Sequence, residues 1–204
     1  PIAYHRPRCP LVRHLFPHGE GETVVILVKD EAIRLAQKGF YVFPCVSNGK
    51  RPLTENGFKD ATNDPAIIHT WWKKWQNANI GIACGQSGLV VIDVDPEGKD
   101  FLDLIPNRMD TACVLTGRGG YHFYYRGQGR NTASKLAKGI DTRGDGGYVI
   151  APPSVHESGS RYEWMNEDPI LPLPEELQSL FKTKDKDSAP SLITQEKTII
   201  KPVI

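Results

Sequence analysis

Two carboxylates close an apolar run, Gly88-Leu89-Val90-Val91-Ile92-Asp93-Val94-Asp95, and their types and spacing suit chemistry. In an extended strand the i, i+2 spacing puts Asp93 and Asp95 on one face, roughly 7 Å apart at the backbone, where their charges repel. Such a pair either ends in water as two solvated acids or holds a cation. Carboxylate oxygens, with water and phosphate, are the ligands that Mg²⁺ or Mn²⁺ prefers. A short D-x-D match does not choose between these readings.

A second candidate is Thr116-Gly117-Arg118-Gly119-Gly120-Tyr121-His122. Its glycines permit positive φ and a close backbone approach, and their N–H groups can line a phosphate site. A plain Gly-rich hairpin turn is the alternative. Arg118 inside the turn and His122 on the returning strand, on the face opposite Phe123, favour the phosphate reading, although a lone strand histidine is more often structural. From Thr116 to Ile140 the chain carries Arg118, Arg126, Arg130, Lys135 and Lys138 and no acid, a window suited to polyanions. A third candidate is Gly139-Ile140-Asp141-Thr142-Arg143, where Asp141 follows an apolar residue much as Asp93 does and could complete a two-metal site. Asp145, in Gly-Asp-Gly-Gly, reads as a turn acid.

These residues need elements to position them. Asp30 is a plausible N-cap for a helix that Gly39 stops, and a strand from Phe40 to Cys45 follows. The loop Ser47-Asn48-Gly49-Lys50-Arg51-Pro52 pairs turn residues with two cations. Asp64 caps a second helix with Pro65 at its first position, and Ile68, Trp71, Trp72 and Trp75 form a stripe that reads as core rather than as a base-stacking platform. Asn79 to Ala83 and Leu89 to Val94 read as a strand pair joined by Cys84-Gly85-Gln86-Ser87-Gly88. A short helix from Asp100 to Ile105, strands at Ala112 to Leu115, Tyr121 to Arg126 and Tyr148 to Ala151, an edge strand from Arg161 to Met165 and a closing helix from Pro174 to Phe181 complete the expectation.

The chain of 204 residues, 39% hydrophobic and 24% charged, has ordinary globular composition. A net charge of +1 gives no general attraction for nucleic acid, so any such attraction is local. Cysteines 9, 45, 84 and 113 show no C-x-x-C spacing, which argues against a zinc ribbon or a disulfide framework and fits a reducing, cytoplasmic setting. The early apolar run Val24 to Val28 is too short for a signal peptide core or a membrane span. Residues 1 to 23, rich in Pro, His and Arg, read as a loosely ordered lead-in; His5, Cys9, His14 and His18 match no structural zinc pattern. The Lys-rich segment beyond Lys182 is linker-like.

In their order, Asp93-Val94-Asp95, Gly117 to His122, Ile140-Asp141 and Gly146-Gly147-Tyr148-Val149-Ile150-Ala151-Pro152-Pro153-Ser154 resemble the bifunctional primase-polymerase domain of the archaeo-eukaryotic primase superfamily. Gly39 to Pro44, Lys50-Arg51-Pro52, Trp71-Trp72 and Asn79-Ile80-Gly81 resemble it as well. The resemblance implies an α/β (α+β) fold, with an α/β lobe packed on a catalytic lobe like an RNA-recognition motif and the active site in the cleft between them. It implies a lead-in over residues 1–29, a catalytic domain over 30–181 and a linker or tail over 182–204. It makes Asp93, Asp95 and Asp141 ligands of two Mg²⁺ or Mn²⁺ ions and His122 a contact to the incoming nucleotide's phosphates. Arg118, Lys50, Arg143 and Ser154 are further nucleotide contacts by the same resemblance. No zinc is expected, because the Cys/His insertion of some relatives is absent from the sequence.

The implied activity is template-dependent primase/polymerase chemistry, in replication of a plasmid, phage or integrated element. Its partners would be a single-stranded DNA template and primer, dNTP or NTP, and a fused or associated helicase, with no membrane. A metal-dependent nuclease and a non-catalytic nucleic-acid-binding module are the alternatives. Removing Asp93, one of two repelling acids, is expected to leave metal-free stability equal or slightly higher.

Overall fold

The computed structural model describes residues 27–182, apart from Asp168. Nearly all of the expected lead-in and tail, including His5, Cys9, His14 and His18, lies outside the described residues.

The first helix, α1 (Val28–Gln37), begins two residues before the expected cap: Leu27 is the N-cap and makes no side-chain capping bond, while Asp30 and Glu31 lie in the first turn. There they complement the positive end of the helix dipole, so the acids still mark the helix start. Arg34 ties this helix to the far end of the chain. It donates to Glu31 at 2.7 and 2.6 Å and to Glu167 at 2.8 Å. The second helix, α2 (Pro65–Lys74), starts as the sequence predicts, with the Asp64 carboxylate accepting from Ala66 N–H. Of its aromatic stripe, Ile68 and Trp72 are buried, and Trp71 and Trp75 pack partly buried against the same core.

Strands β1 (Val42–Cys45), β2 (Asn79–Ala83), β3 (Leu89–Val94), β4 (Cys113–Leu115), β5 (Tyr121–Arg126), β6 (Thr132–Ala137), β7 (Ile140–Arg143), β8 (Tyr148–Ala151), β9 (Glu163–Asn166) and β10 (Leu171–Pro172) form two sheets. The small sheet has the order β1-β2-β8 and the large one β6-β7-β3-β5-β4-β9, with β10 added parallel to β5. A 3₁₀ helix (Pro96–Leu104) follows β3, starting four residues before the short helix expected from Asp100 to Ile105, and α3 (Glu175–Lys182) closes the described chain.

One expectation fails at the turn Cys84–Gly88. β2 and β3 are not paired with each other: β2 lies between β1 and β8, whereas β3 lies between β5 and β7. The turn passes the chain from one sheet to the other. Both strands are buried along nearly their whole length, which a two-stranded hairpin could not achieve.

The alternation along β3 decides where the acids go. Leu89 and Val91 join the core shared with the small sheet and both leading helices, and Val90, Ile92 and Val94 join a second core on the opposite face, against Ile105, Phe123, Tyr125, Ile140, Leu173 and Leu177. Asp93 continues the parity of Leu89 and Val91, so it emerges on the face turned toward the small sheet. No described helix is long and apolar enough to cross a membrane.

Candidate active site

Cross-strand register assembles the site. Asp93 stands opposite His122 on β5 and opposite Asp141 on β7, so the three share one row and one face of the large sheet. Arg143 stands opposite Val91 in the adjacent row, on the same face. Its guanidinium donates to Asp93 Oδ2 from Nε at 3.3 Å and from Nη2 at 3.2 Å, and Nη2 also reaches Asp141 Oδ2 at 3.0 Å. His122 Nε2 lies 3.5 Å from Asp93 Oδ1, and its other nitrogen, Nδ1, is sealed from solvent without a hydrogen-bond partner.

Burial by itself would raise the Asp93 carboxyl. The hydrogen bond and charge of His122, backed by the charges of Arg143 and Lys50, outweigh that and hold it down to about 2. Asp95 behaves in the opposite way. Burial and then the negative charges of Asp93, Glu97 and Asp141 raise its carboxyl, against a smaller opposing pull from Arg118.

The Gly-rich turn approaches these acids closely. Its two flanking strands pair with Leu115 opposite Tyr121. A Cβ on Gly120 would stand 2.1 Å from the carbonyl oxygen of Val94, so only glycine lets this turn lie against the end of β3.

Two adjoining cavities open beside the acids. One, about 250 Å³, is lined by Asp93, His122 and Arg143 from the large sheet, by Lys50 and Tyr148, and by Tyr162. The other, about 340 Å³, is lined by Lys50, Arg118, His156, Glu157 and Tyr162. Lys50 and Tyr162 belong to both walls. The Lys50 loop is held from two sides: Asn79 Nδ2 donates to Gly49 O at 2.9 Å, and the Tyr148 hydroxyl donates to Lys50 O at 3.1 Å. Burial, followed by the charge of Asp93, pushes the Tyr162 phenol up to about 12, so at neutral pH it is an O–H donor.

Of the residues singled out in the sequence, the structure gathers Asp93, His122, Arg143 and Lys50 on the wall of the first cavity; Asp141 stands beside them, opposite Asp93 and bound to Arg143, and Asp95 is close enough to feel the charges of Asp93 and Asp141. Arg118 lies on the wall of the second. Ser154 is not on either wall; it is buried, and its hydroxyl accepts the N–H of Ile80 at 2.8 Å, joining β2 to the segment after β8. Arg126 also leaves the group. It stacks over Phe40 at 5.3 Å and donates to Ser87 O on another side of the molecule, so the basic window is divided between two surfaces. Tyr162 and His156 were not singled out. Their only local signal is a histidine and a tyrosine in the polar stretch after Pro152-Pro153-Ser154, and their place at the site depends on contacts with distant strands.

Among the described residues no group of three or more His, Cys, Asp or Glu side chains is gathered as a metal cage. The donor chemistry nevertheless fits a hard divalent cation. The acids are oxygen donors, burial and then the neighbouring negative charges raise the Asp95 carboxyl, and a positive group, the Arg143 guanidinium, already bridges Asp93 and Asp141.

No curated protein matches the chain. The model of the family described as bifunctional DNA primase/polymerase, N-terminal (Prim-Pol), matches residues 32–176, a span that contains both sheets, all three carboxylates, the Gly-rich turn and both cavities. With more than half of its length matched, the chain belongs to the bifunctional DNA primase/polymerase N-terminal family, whose domain is that of a nucleotidyltransferase-type enzyme.

Proposed function

We propose that this domain is a template-dependent DNA primase/polymerase that joins a nucleotide from a (d)NTP to a 3′-hydroxyl in the cleft between the two sheets. The observation that carries this reading is the single cross-strand row of Asp93, His122 and Asp141 on the sheet face turned toward the cleft. In this reading the small sheet with α1 and α2 is the α/β lobe of an archaeo-eukaryotic primase fold, and the large sheet is the catalytic lobe.

Asp93, Asp95 and Asp141 would hold two Mg²⁺ or Mn²⁺ ions, whose chemistry when bound is to lower the pKa of the attacking hydroxyl and to neutralise charge on the departing pyrophosphate. The chain's own contribution is positioning. His122 Nε2, held at only 3.5 Å from Asp93, is placed to exchange that carboxylate for a nucleotide phosphate. Arg143, Arg118 and Lys50 supply positive charge along the two cavity walls. Asp93 is kept ionised by its neighbours, and in this reading the attacking 3′-hydroxyl needs no protein general base. The template and primer would be single-stranded DNA, with replication of a plasmid, phage or integrated element as the setting and a helicase fused to or associated with this domain.

Incubation with a primed template, labelled dNTPs and Mn²⁺ or Mg²⁺ tests the reading. Extension of the primer is the expected result. Shortening would make the protein a nuclease, and unchanged primer that stays bound would make it a binding module.

A further inference from the structure

The second cavity contains a donor that the catalytic reading leaves unused. His156 is 6% exposed and lies between two packed surfaces. On one side its ring is 6.3 Å from that of Tyr162, which in turn lies 6.1 Å from His122. On the other it fills the space that Gly117 leaves, since a Cβ there would stand 2.2 Å from His156 Cβ. The turn that carries it is closed by His156 N–H to Ser160 O at 2.8 Å and by Gly159 N–H to His156 O at 2.9 Å. Ser158 Oγ donates to Gly117 O at 3.1 Å and so locks this turn to the one that carries Arg118.

The imidazole's hydrogen bonds fix which nitrogen faces outward as a donor. Nδ1 meets two groups of Ser158, the backbone N–H at 3.1 Å and Oγ at 3.0 Å, whose single proton is shared with Gly117 O; an amide can only donate, so Nδ1 is the acceptor and the ring proton sits on Nε2. Nε2 lies 3.9 Å from the Glu157 carboxylate, too long for a hydrogen bond, on a side chain that is 82% exposed. Nε2–H, Arg118 and Lys50 therefore converge on one cavity from three separate loops, with Glu157 as the acid at its rim. Such convergence suits a compact anion with several oxygens better than an extended backbone, whose phosphates would need donors spaced along a groove.

We propose that His156 is a phosphate-binding residue, which with Arg118 and Lys50 forms a subsite for the outer phosphates of the incoming nucleoside triphosphate. This rests on the polymerase reading of the cleft. Tyr162, shared by both cavities, sets the spacing between this subsite and the His122–Asp93 pair.

The test compares His156→Phe, which keeps a ring against Gly117 and Tyr162 but has no donor, with His156→Gln, which restores an N–H near Nε2. Inorganic tripolyphosphate binding by calorimetry, the KM for dNTP, primer-template affinity and thermal melting are read for each. Loss of one charge-assisted bond is expected to weaken tripolyphosphate binding and raise the KM about tenfold in the Phe variant. The Gln variant should recover part of both, with kcat, template affinity and melting close to wild type. Unchanged tripolyphosphate binding in the Phe variant would overturn the subsite, as would a loss confined to template affinity, which would assign His156 to the DNA backbone. Equal loss in both variants with lowered melting would make the residue structural. A wild-type protein that fails to extend primers yet binds tripolyphosphate through His156 would refute the polymerase reading and leave the subsite standing.

Discussion

Asp93 and Asp141 face each other across the ladder between β3 and β7, and one nitrogen of Arg143 reaches both carboxylates, at 3.2 and 3.0 Å. Two acids in register on adjacent strands would repel each other at this distance; the guanidinium turns the repulsion into a three-membered ion network. Such an arrangement keeps Asp93 ionised and the two acids adjacent in the metal-free protein.

The first consequence concerns stability. Repulsion alone would make removal of Asp93 neutral or favourable, but the structure gives it His122 and Arg143 as partners and a carboxyl held down to about 2. Asp93→Asn should therefore destabilise the metal-free domain, by on the order of 2 kcal/mol. Asp95, raised by burial and by its acidic neighbours, carries the unfavourable charge instead. Asp95→Asn should leave stability equal or slightly higher. Urea unfolding in the presence of a chelator checks both, and a gain in stability from Asp93→Asn would contradict the network.

The same shifts fix a pH dependence. A carboxyl whose folded-state value lies below its ordinary 3.8 stabilises the fold above that value and ceases to do so as the pH falls toward about 2. The Asp93 contribution should be complete above about pH 4 and lost between about pH 4 and 2. Asp95 has the opposite sign, because its unfavourable charge disappears on protonation. Unfolding curves from pH 6 to 2 should be shallower for Asp93→Asn than for wild type; parallel curves would show that the carboxyl is not depressed.

Much of this site was legible because its signals are local. The i, i+2 acids, the Gly-rich turn before His122 and the Asp64-Pro65 helix start depend on a few adjacent residues: β3 ends at Val94 with Asp95 just beyond it, β4 and β5 pair on either side of the turn, and α2 starts at Pro65 under the Asp64 cap. The pairing of β2 and β3 was misread because a Gly-rich turn between two apolar strands looks the same whether it closes a hairpin or passes between sheets. The true partners, β1 and β8 for β2 and β5 and β7 for β3, lie tens of residues away along the chain. Thr132–Ala137 is not announced as a strand by its sequence, which has small and polar residues with one lysine and no β-branched or aromatic run, and it lies at the edge of the large sheet. His156 and Tyr162 reach the site only through contacts with the Gly117 turn and with His122, which no local pattern announces.

Substrate binding should divide between residues. Arg118 and His122 lie on the cavity walls beside the acids, so Arg118→Ala and His122→Ala should weaken dNTP binding about tenfold or more and template binding much less. Separate titrations of nucleotide and of labelled template measure the two. Equal losses would place both side chains in the template channel.

Template binding by this domain should be weak and steeply dependent on salt. With a net charge of +1 and Arg126 turned to another surface, few phosphates can be neutralised, about three to five, each adding a slope of about −0.7 to −0.9 in log affinity against log salt. A fluorescent primer-template titrated at several salt concentrations gives the slope directly. Tight binding that hardly changes between low and physiological salt would point to base stacking, with the partly buried Trp71 and Trp75 as the surface to examine.

The most direct measurement is pyrophosphate release with a primed template and one dNTP at a time, for wild type, Asp93→Asn and Asp141→Asn. Release only with the nucleotide complementary to the template, in the wild type alone, and at least a hundredfold lower in both variants, is the expected result. Release that ignores the template, or that persists in either variant, would contradict nucleotidyl transfer at the Asp93–Asp141 row.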